Sequence, residues 1–196
     1  MARGIVLLLL AGALIPGLAA VALASAAKPP PPANFYDAVV KHKLTKLQEV
    51  IDGAGMKAYF SNPNLKATMM APNNAAFDWL FADCKVDKLK EADTPPACSM
   101  KQLLCLPKKQ LRDILVYLLV EGNIKVQPNK DIWLTNGKFT RWPTLQGDIV
   151  RLRQVKKDFE VHGTGRDAKV RFTRNIIVGK GLFNIVDNFI TSWPKK

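Results

Sequence analysis

Two segments of the chain pair cations at the spacing that puts them on one face of a strand. Val150 and Leu152 alternate with Arg151 and Arg153, and Ala168, Val170 and Phe172 alternate with Lys169, Arg171 and Thr173. Alternate residues of an extended strand share a face, with successive side chains on it about 6.6 Å apart. If the apolar positions turn to a core, then Arg151, Arg153, Lys169 and Arg171 turn to solvent. Guanidinium groups offer flat, forked donors that suit carboxylate and sulfate, so these four residues are the candidate polyanion-binding site. The charge is concentrated there: between positions 138 and 180, eleven Lys or Arg face four acids. The competing expectation is a dispersed basic surface that only keeps the protein soluble or holds it at a negative surface.

Catalytic chemistry has few candidates. The chain has two histidines, His42 and His162. Neither has an evident partner to tune it for general acid–base work, so both read as solvated surface side chains. There is no Gly-x-Ser-x-Gly elbow, no His-Glu-x-x-His and no phosphate loop. Gly163-Thr164-Gly165-Arg166-Asp167-Ala168 follows a strand, but a second strand succeeds it, so no helix N-terminus is available to a pyrophosphate and the segment reads as a hairpin turn. The expectation is no catalytic, cofactor-binding or metal site. The three cysteines, Cys84, Cys98 and Cys105, fit no zinc spacing. Cys105, inside Leu103-Leu104-Cys105-Leu106, reads as a buried thiol. Cys84 and Cys98 flank the polar stretch 85–97 and are the expected disulfide, worth ~3 kcal/mol for a loop of that size. No bridge, or an intermolecular one, are the alternatives.

The whole composition narrows the class. A chain of 196 residues with 48% hydrophobic content fits one globular domain, and its net charge of +13 favours anionic partners. Arg3 precedes an uncharged stretch from Gly4 to Ala27 that begins Ile5-Val6-Leu7-Leu8-Leu9-Leu10 and reaches Ala24-Ser25-Ala26, a small-x-small cleavage pattern. Residues 1–26 therefore read as a secretory signal peptide. An uncleaved anchor is the alternative, since ~20 apolar residues can span a bilayer. Cleavage leaves no stable membrane span, and a secreted route points away from nucleic acid. Residues 27–34, with Pro29-Pro30-Pro31-Pro32, read as a stiff linker; a stalk of modified prolines is the second reading.

Several elements must position the basic face. Phe35 to Ile51 reads as one helix closed by Asp52-Gly53. Leu65 to Ala71 reads as a short buried strand, broken by Pro72-Asn73-Asn74 before a helix bearing Phe77, Trp79, Leu80 and Phe81. Ser99 can cap a helix through Cys105, and Pro107 suits the first turn of the next. Leu111, Ile114, Leu115, Leu118 and Leu119 form one apolar helical face with Gly122 as its C-terminal cap. Beyond it the period changes to two, with Asn136-Gly137 as a hairpin turn and half-buried antiparallel strands around Val150, Phe159 and Ala168. The last part reads as Ile176-Ile177-Val178, a Gly179-Lys180-Gly181 turn, and an apolar run from Leu182 to Ile190.

Four of these segments, in order, resemble a fasciclin domain. Thr68-Met69-Met70-Ala71-Pro72-Asn73-Asn74-Ala75-Ala76-Phe77 is similar to that family's first signature. Leu111, Ile114-Leu115, Tyr117 and Val120-Glu121-Gly122 resemble its central helix. Thr144-Leu145-Gln146-Gly147 resembles its Thr-Leu-x-Gly turn, and Gly181-Leu182-Phe183-Asn184-Ile185-Val186-Asp187 with Pro194 resembles its closing signature. The family's usual histidines are replaced here by Leu118 and Asn184. The resemblance implies an α+β fold, helices packed on a wedge of mainly antiparallel β-strands, in a single domain over 35–194. It implies structural roles for Thr68, Pro72, Asn74, Phe77, Tyr117, Gly147, Gly181 and Asp187, with Asn74 capping the helix after Pro72 and Asp187 fixing backbone at the closing strand. It also implies an extracellular adhesion or matrix module without catalysis or cofactor. The partner expected from the charge is a matrix or cell-wall polysaccharide or glycoprotein; the alternative is a structural secreted protein that binds nothing through its basic surface.

Overall fold

A computed structural model describes residues 29–82, 97–125, 138–155, 158–163, 167–170 and 175–191. All its elements lie in the unit Pro31–Lys196. The first helix, α1 (Phe35–Lys41), starts at Asn34, whose side-chain oxygen accepts from Asp37 N at 2.8 Å while its amide donates to the Asp37 carboxylate at 2.7 Å. That reciprocal cap leaves Phe35, Tyr36, Ala38 and Val39 on the buried face. The helix expected to continue to Ile51 stops here. Lys43 takes a left-handed backbone at φ 55°, and α2 (Thr45–Gly53) restarts beyond it. Leu47, Val50 and Ile51 then face the core. A single turn, α3 (Lys57–Phe60), leads to the sheet.

Strand β1 (Ala67–Pro72) is buried at every position. After it come α4 (Asn74–Ala82), α5 (Met100–Leu104) and α6 (Lys108–Tyr117). Ser99 caps α5 through Gln102 N, and Pro107 is the residue before α6 rather than its first turn. The apolar run of α6 outlasts the helix. Leu118 ends it, and Leu119–Glu121 form strand β2, so Gly122, at φ 78°, closes a strand instead of capping a helix. The reason is pairing: β2 lies antiparallel to β1, with Val120 opposite Thr68.

The remaining strands are β3 (Thr140–Pro143), β4 (Ile149–Val155), β5 (Asp158–His162), β6 (Asp167–Val170), β7 (Ile176–Val178) and β8 (Gly181–Val186). They form one sheet in the order β2-β1-β8-β6-β5-β4-β3, with β7 paired to β8. Among the described residues the only parallel neighbours are β1 and β8. Both are buried throughout, as a strand covered on both faces must be. The end strands meet: Val120 bridges Thr144, and Leu145 N donates to Leu119 O at 2.8 Å. This junction shields the edges that an open sheet would expose. Phe35, Phe60, Phe77, Phe183 and Phe189 fill the core, with the rings of Phe77 and Phe189 edge-to-face at 5.1 Å. The architecture is α+β, with helices on a mainly antiparallel sheet. The expected Asn136-Gly137 turn lies outside the described residues. Among the described residues no helix is long and apolar enough to cross a membrane.

Candidate functional site

Strands β4 and β5 show why the basic face forms. Val150 and Leu152 are buried on β4, and Phe159 and Val161 on β5, so their neighbours in sequence turn outward. Register then sets the charges side by side. Across the sheet, Arg153 stands opposite Glu160 and Glu160 opposite Lys169; Arg151 stands opposite His162. The structure thus brings Arg151, Arg153 and Lys169 to one face, and Arg171 lies outside the described residues.

Sequence reasoning missed one member. Arg141 on β3 is directly opposite Arg151 and exposed. Its strand is short and ends in Pro143, so periodicity gave no sign of it; only the pairing register reveals it. Phe139 packs against both cations of β4. The Arg153 guanidinium sits 4.6 Å from the ring centroid and the Arg151 guanidinium 5.3 Å. Such stacking holds both Arg side chains extended; it leaves the forked edge of Arg151 available to an anion, while Arg153 turns its Nε edge to Glu160.

Glu160 is the counter-charge at the centre. Its carboxylate accepts from Arg153 Nε at 2.7 Å, pairs with Lys169 Nζ at 3.6 Å, and lies 3.1 Å from His162 Nε2. The hydrogen bond with His162 first, joined by the bond and charge of Arg153, holds the Glu160 carboxyl below its ordinary range against the opposing effect of burial. His162 is therefore not the solvated side chain expected: it is largely covered, partnered by Glu160, and packed edge-to-face on Phe139 at 4.7 Å. His42 likewise is not the solvated side chain expected. It is half-buried and stacks on Phe183 at 6.0 Å, and burial first, then Lys41, lowers its pKa.

The signature residues hold backbone. Thr68 Oγ1 donates to Gly122 O and accepts from Ile124 N, each at 2.7 Å, which fixes the exit of β2. Pro72 ends β1 opposite Val186, and Phe77 and Tyr117 are buried. Asn74 does not cap its own helix. Asn73 does, accepting from Ala76 N at 2.8 Å. Asn74 instead accepts from Lys46 N at 3.2 Å and donates to Lys43 O at 3.1 Å, so it caps α2, which has no side-chain cap of its own. Gly147, at φ 102°, closes the turn by donating to Thr144 O at 2.9 Å. Asp187 Oδ1 accepts from Lys169 N at 2.8 Å, joining the end of β8 to β6. Asn184, fully buried where the resemblance expects His, accepts from Asn175 N at 2.7 Å, and its amide nitrogen has no hydrogen-bond partner among the described residues.

Cys98 is disulfide-bonded, and Cys84 lies outside the described residues. Cys105 is a free, exposed thiol rather than the buried one expected. The short helix α5 ends at Leu104, which turns Cys105 outward at the C-cap. Among the described residues no group of three or more His, Cys, Asp or Glu could hold a metal ion.

The family model described as Fasciclin domain matches residues 42–192. No curated protein matches the chain. Among solved structures, a FAS1 domain pair from the insect cell adhesion molecule fasciclin I is similar to it at 19% identity, with a TM-score of 0.46, over 75% of this chain and 44% of that one. The chain spans less than half the length of that domain pair.

Proposed function

The chain belongs to the fasciclin domain family, and from that premise we propose that it is a secreted adhesion module that contacts anionic polysaccharide or matrix glycoprotein through the outer face of β3, β4, β5 and β6. One observation carries the reading. Arg141 and Arg151 stand directly opposite each other on exposed strand positions, and among the described residues no carboxylate pairs with either. Like charges so placed destabilise a sheet, and an anionic ligand relieves them. Arg153 and Lys169 extend the face, and Arg171 continues the alternation of β6 in sequence. The reading is non-catalytic, with residues 1–26 removed on secretion, residues 27–34 a linker, the domain over 35–194, and Cys84 joined to Cys98. The bonded state of Cys98 and the free Cys105 support that bridge.

A second reading has its own support. Glu160 already pairs with Arg153 and Lys169, so part of the charge is satisfied within the fold. On that reading the face is only a solvated surface. Affinity for heparin separates the two. Changing Arg141 and Arg151 together to Gln should weaken binding about tenfold, because each exposed charge pair with the polyanion supplies ~0.7 kcal/mol. An unchanged melting temperature serves as the folding control. Unchanged affinity of the double variant would favour the solvated surface.

A further inference from the structure

A second cluster of cations lies away from that face. A cleft of about 490 Å³ opens beside the β7–β8 hairpin, between Lys66 at the entry to β1, Lys125 beyond β2 and Lys180 in the hairpin turn. All three lysines are exposed, and among the described residues no ion pair joins any of them to a carboxylate. The floor is apolar, with Leu182 and the 63%-exposed Ile177. The groove is open to solvent, so it offers an apolar floor lined by cationic residues rather than an enclosed pocket.

The backbone that carries Lys180 is fixed. Lys180 N donates to Pro63 O at 2.9 Å, and the Asn123 side-chain amide donates to Lys180 O at 3.0 Å. Gly179 is left-handed at φ 54°, and a Cβ there would meet Pro63 O at 2.5 Å. A Cβ on Gly181 would meet the Phe35 ring at 2.5 Å. Close packing against Pro63 and Phe35 fixes the backbone of the turn that carries Lys180. Three like charges held around an apolar floor, with no counter-ion from the described residues, present an unfilled demand for negative charge next to an unfilled demand for apolar contact.

We infer that this cleft binds an anionic amphiphile, its phosphate head held by Lys66, Lys125 and Lys180 and its apolar part lying on Ile177 and Leu182. A sulfated sugar would satisfy the lysines but gain nothing from Ile177, which favours the amphiphile over a polysaccharide. The same chemistry is offered by a free alkyl phosphate and by the head of an anionic lipid.

Calorimetric titration of the full mature protein tests it, with decyl phosphate below its micelle-forming concentration, inorganic phosphate, and vesicles of phosphatidylglycerol as separate arms. Decyl phosphate should bind at least about tenfold more tightly than inorganic phosphate, because each buried methylene adds to affinity. Replacing the three lysines by Gln should weaken it about a hundredfold or more, and Ile177→Ser should weaken decyl phosphate while leaving inorganic phosphate unchanged. Binding of monomeric decyl phosphate identifies a free amphiphile as sufficient; binding confined to vesicles, and lost in the lysine variant, assigns the lipid head as the source. Equal affinity for decyl and inorganic phosphate, or a folded lysine variant that binds as the wild type does, overturns the proposal. So does a heparin hexasaccharide that binds the cleft more tightly than decyl phosphate does and is lost in the lysine variant.

Discussion

Asn74 serves two elements at once, and its substitution has a definite cost. Asn74→Ala removes the acceptor for Lys46 N and the donor to Lys43 O, leaving α2 without a side-chain cap. A lost N-cap costs ~1 kcal/mol, and the left-handed Lys43 loses its tether as well. Denaturant unfolding should therefore show a loss of about 1–2 kcal/mol at unchanged slope, while Asn74→Asp, which keeps an acceptor, should cost less. The sequence marked Asn74 as the cap of the helix after Pro72, which is the wrong helix, because the one it caps contacts it across 28 residues of chain. His42 gives a pH signature. Its folded pKa lies below the usual 6.5 because burial disfavours the charged ring. The unfolded chain then binds more protons as pH falls through that region, so stability should decline below about pH 6.5. In His42→Gln this part of the decline should vanish. An NMR titration placing His42 at or above 6.5 would contradict it. Glu160 acts in the acid range: its carboxyl is held low, so its contribution is full above the usual 4.5 and is lost as pH falls through the lower folded value.

Elements were legible where burial alternates and obscure where pairing overrides local pattern. β4 and β5 were readable because Val150, Leu152, Phe159 and Val161 sit at period two and are all buried. β2 was hidden, because Leu118 and Leu119 continue the apolar face of α6 and only the partner strand β1 turns the chain into a strand there. The break between α1 and α2 was equally hidden, since Lys43 carries the left-handed turn without a Gly or Pro to announce it. The β7–β8 hairpin was readable from Gly179-Lys180-Gly181, and the structure adds the reason. Gly181→Ala would drive a Cβ to 2.7 Å from Ala67 O and 2.5 Å from the Phe35 ring. Since backbone cannot yield as a side chain can, the cost should reach about 1–3 kcal/mol, or ~3–10 °C in melting temperature. Gly147→Ala, where a Cβ meets nothing within 4 Å, should suffer only from its positive φ and cost less.

At the scale of the whole molecule, the charge of +13 becomes specific only through the sheet. The candidate face was partly legible: alternation gave Arg151, Arg153 and Lys169, while Arg141 and the central position of Glu160 needed the register of three strand pairs. The same dependence on long-range pairing explains why the Lys66, Lys125 and Lys180 cleft left no trace in the sequence, its members lying 59 and 55 residues apart. Non-reducing peptide mapping of secreted protein should recover Cys84 joined to Cys98 with Cys105 alkylated; a bridge to Cys105 would contradict its free, exposed state. The most direct test of the proposed polyanion-binding face is heparin elution of Glu160→Gln beside the wild type at neutral pH. Removing Glu160 frees Arg153 and Lys169 from their internal counter-charge, so the variant should lose stability yet elute at higher salt, with the difference shrinking as the screening length falls to ~3 Å near 1 M. Elution at the same or lower salt, from a variant that remains folded, would contradict a polyanion-binding face on these strands.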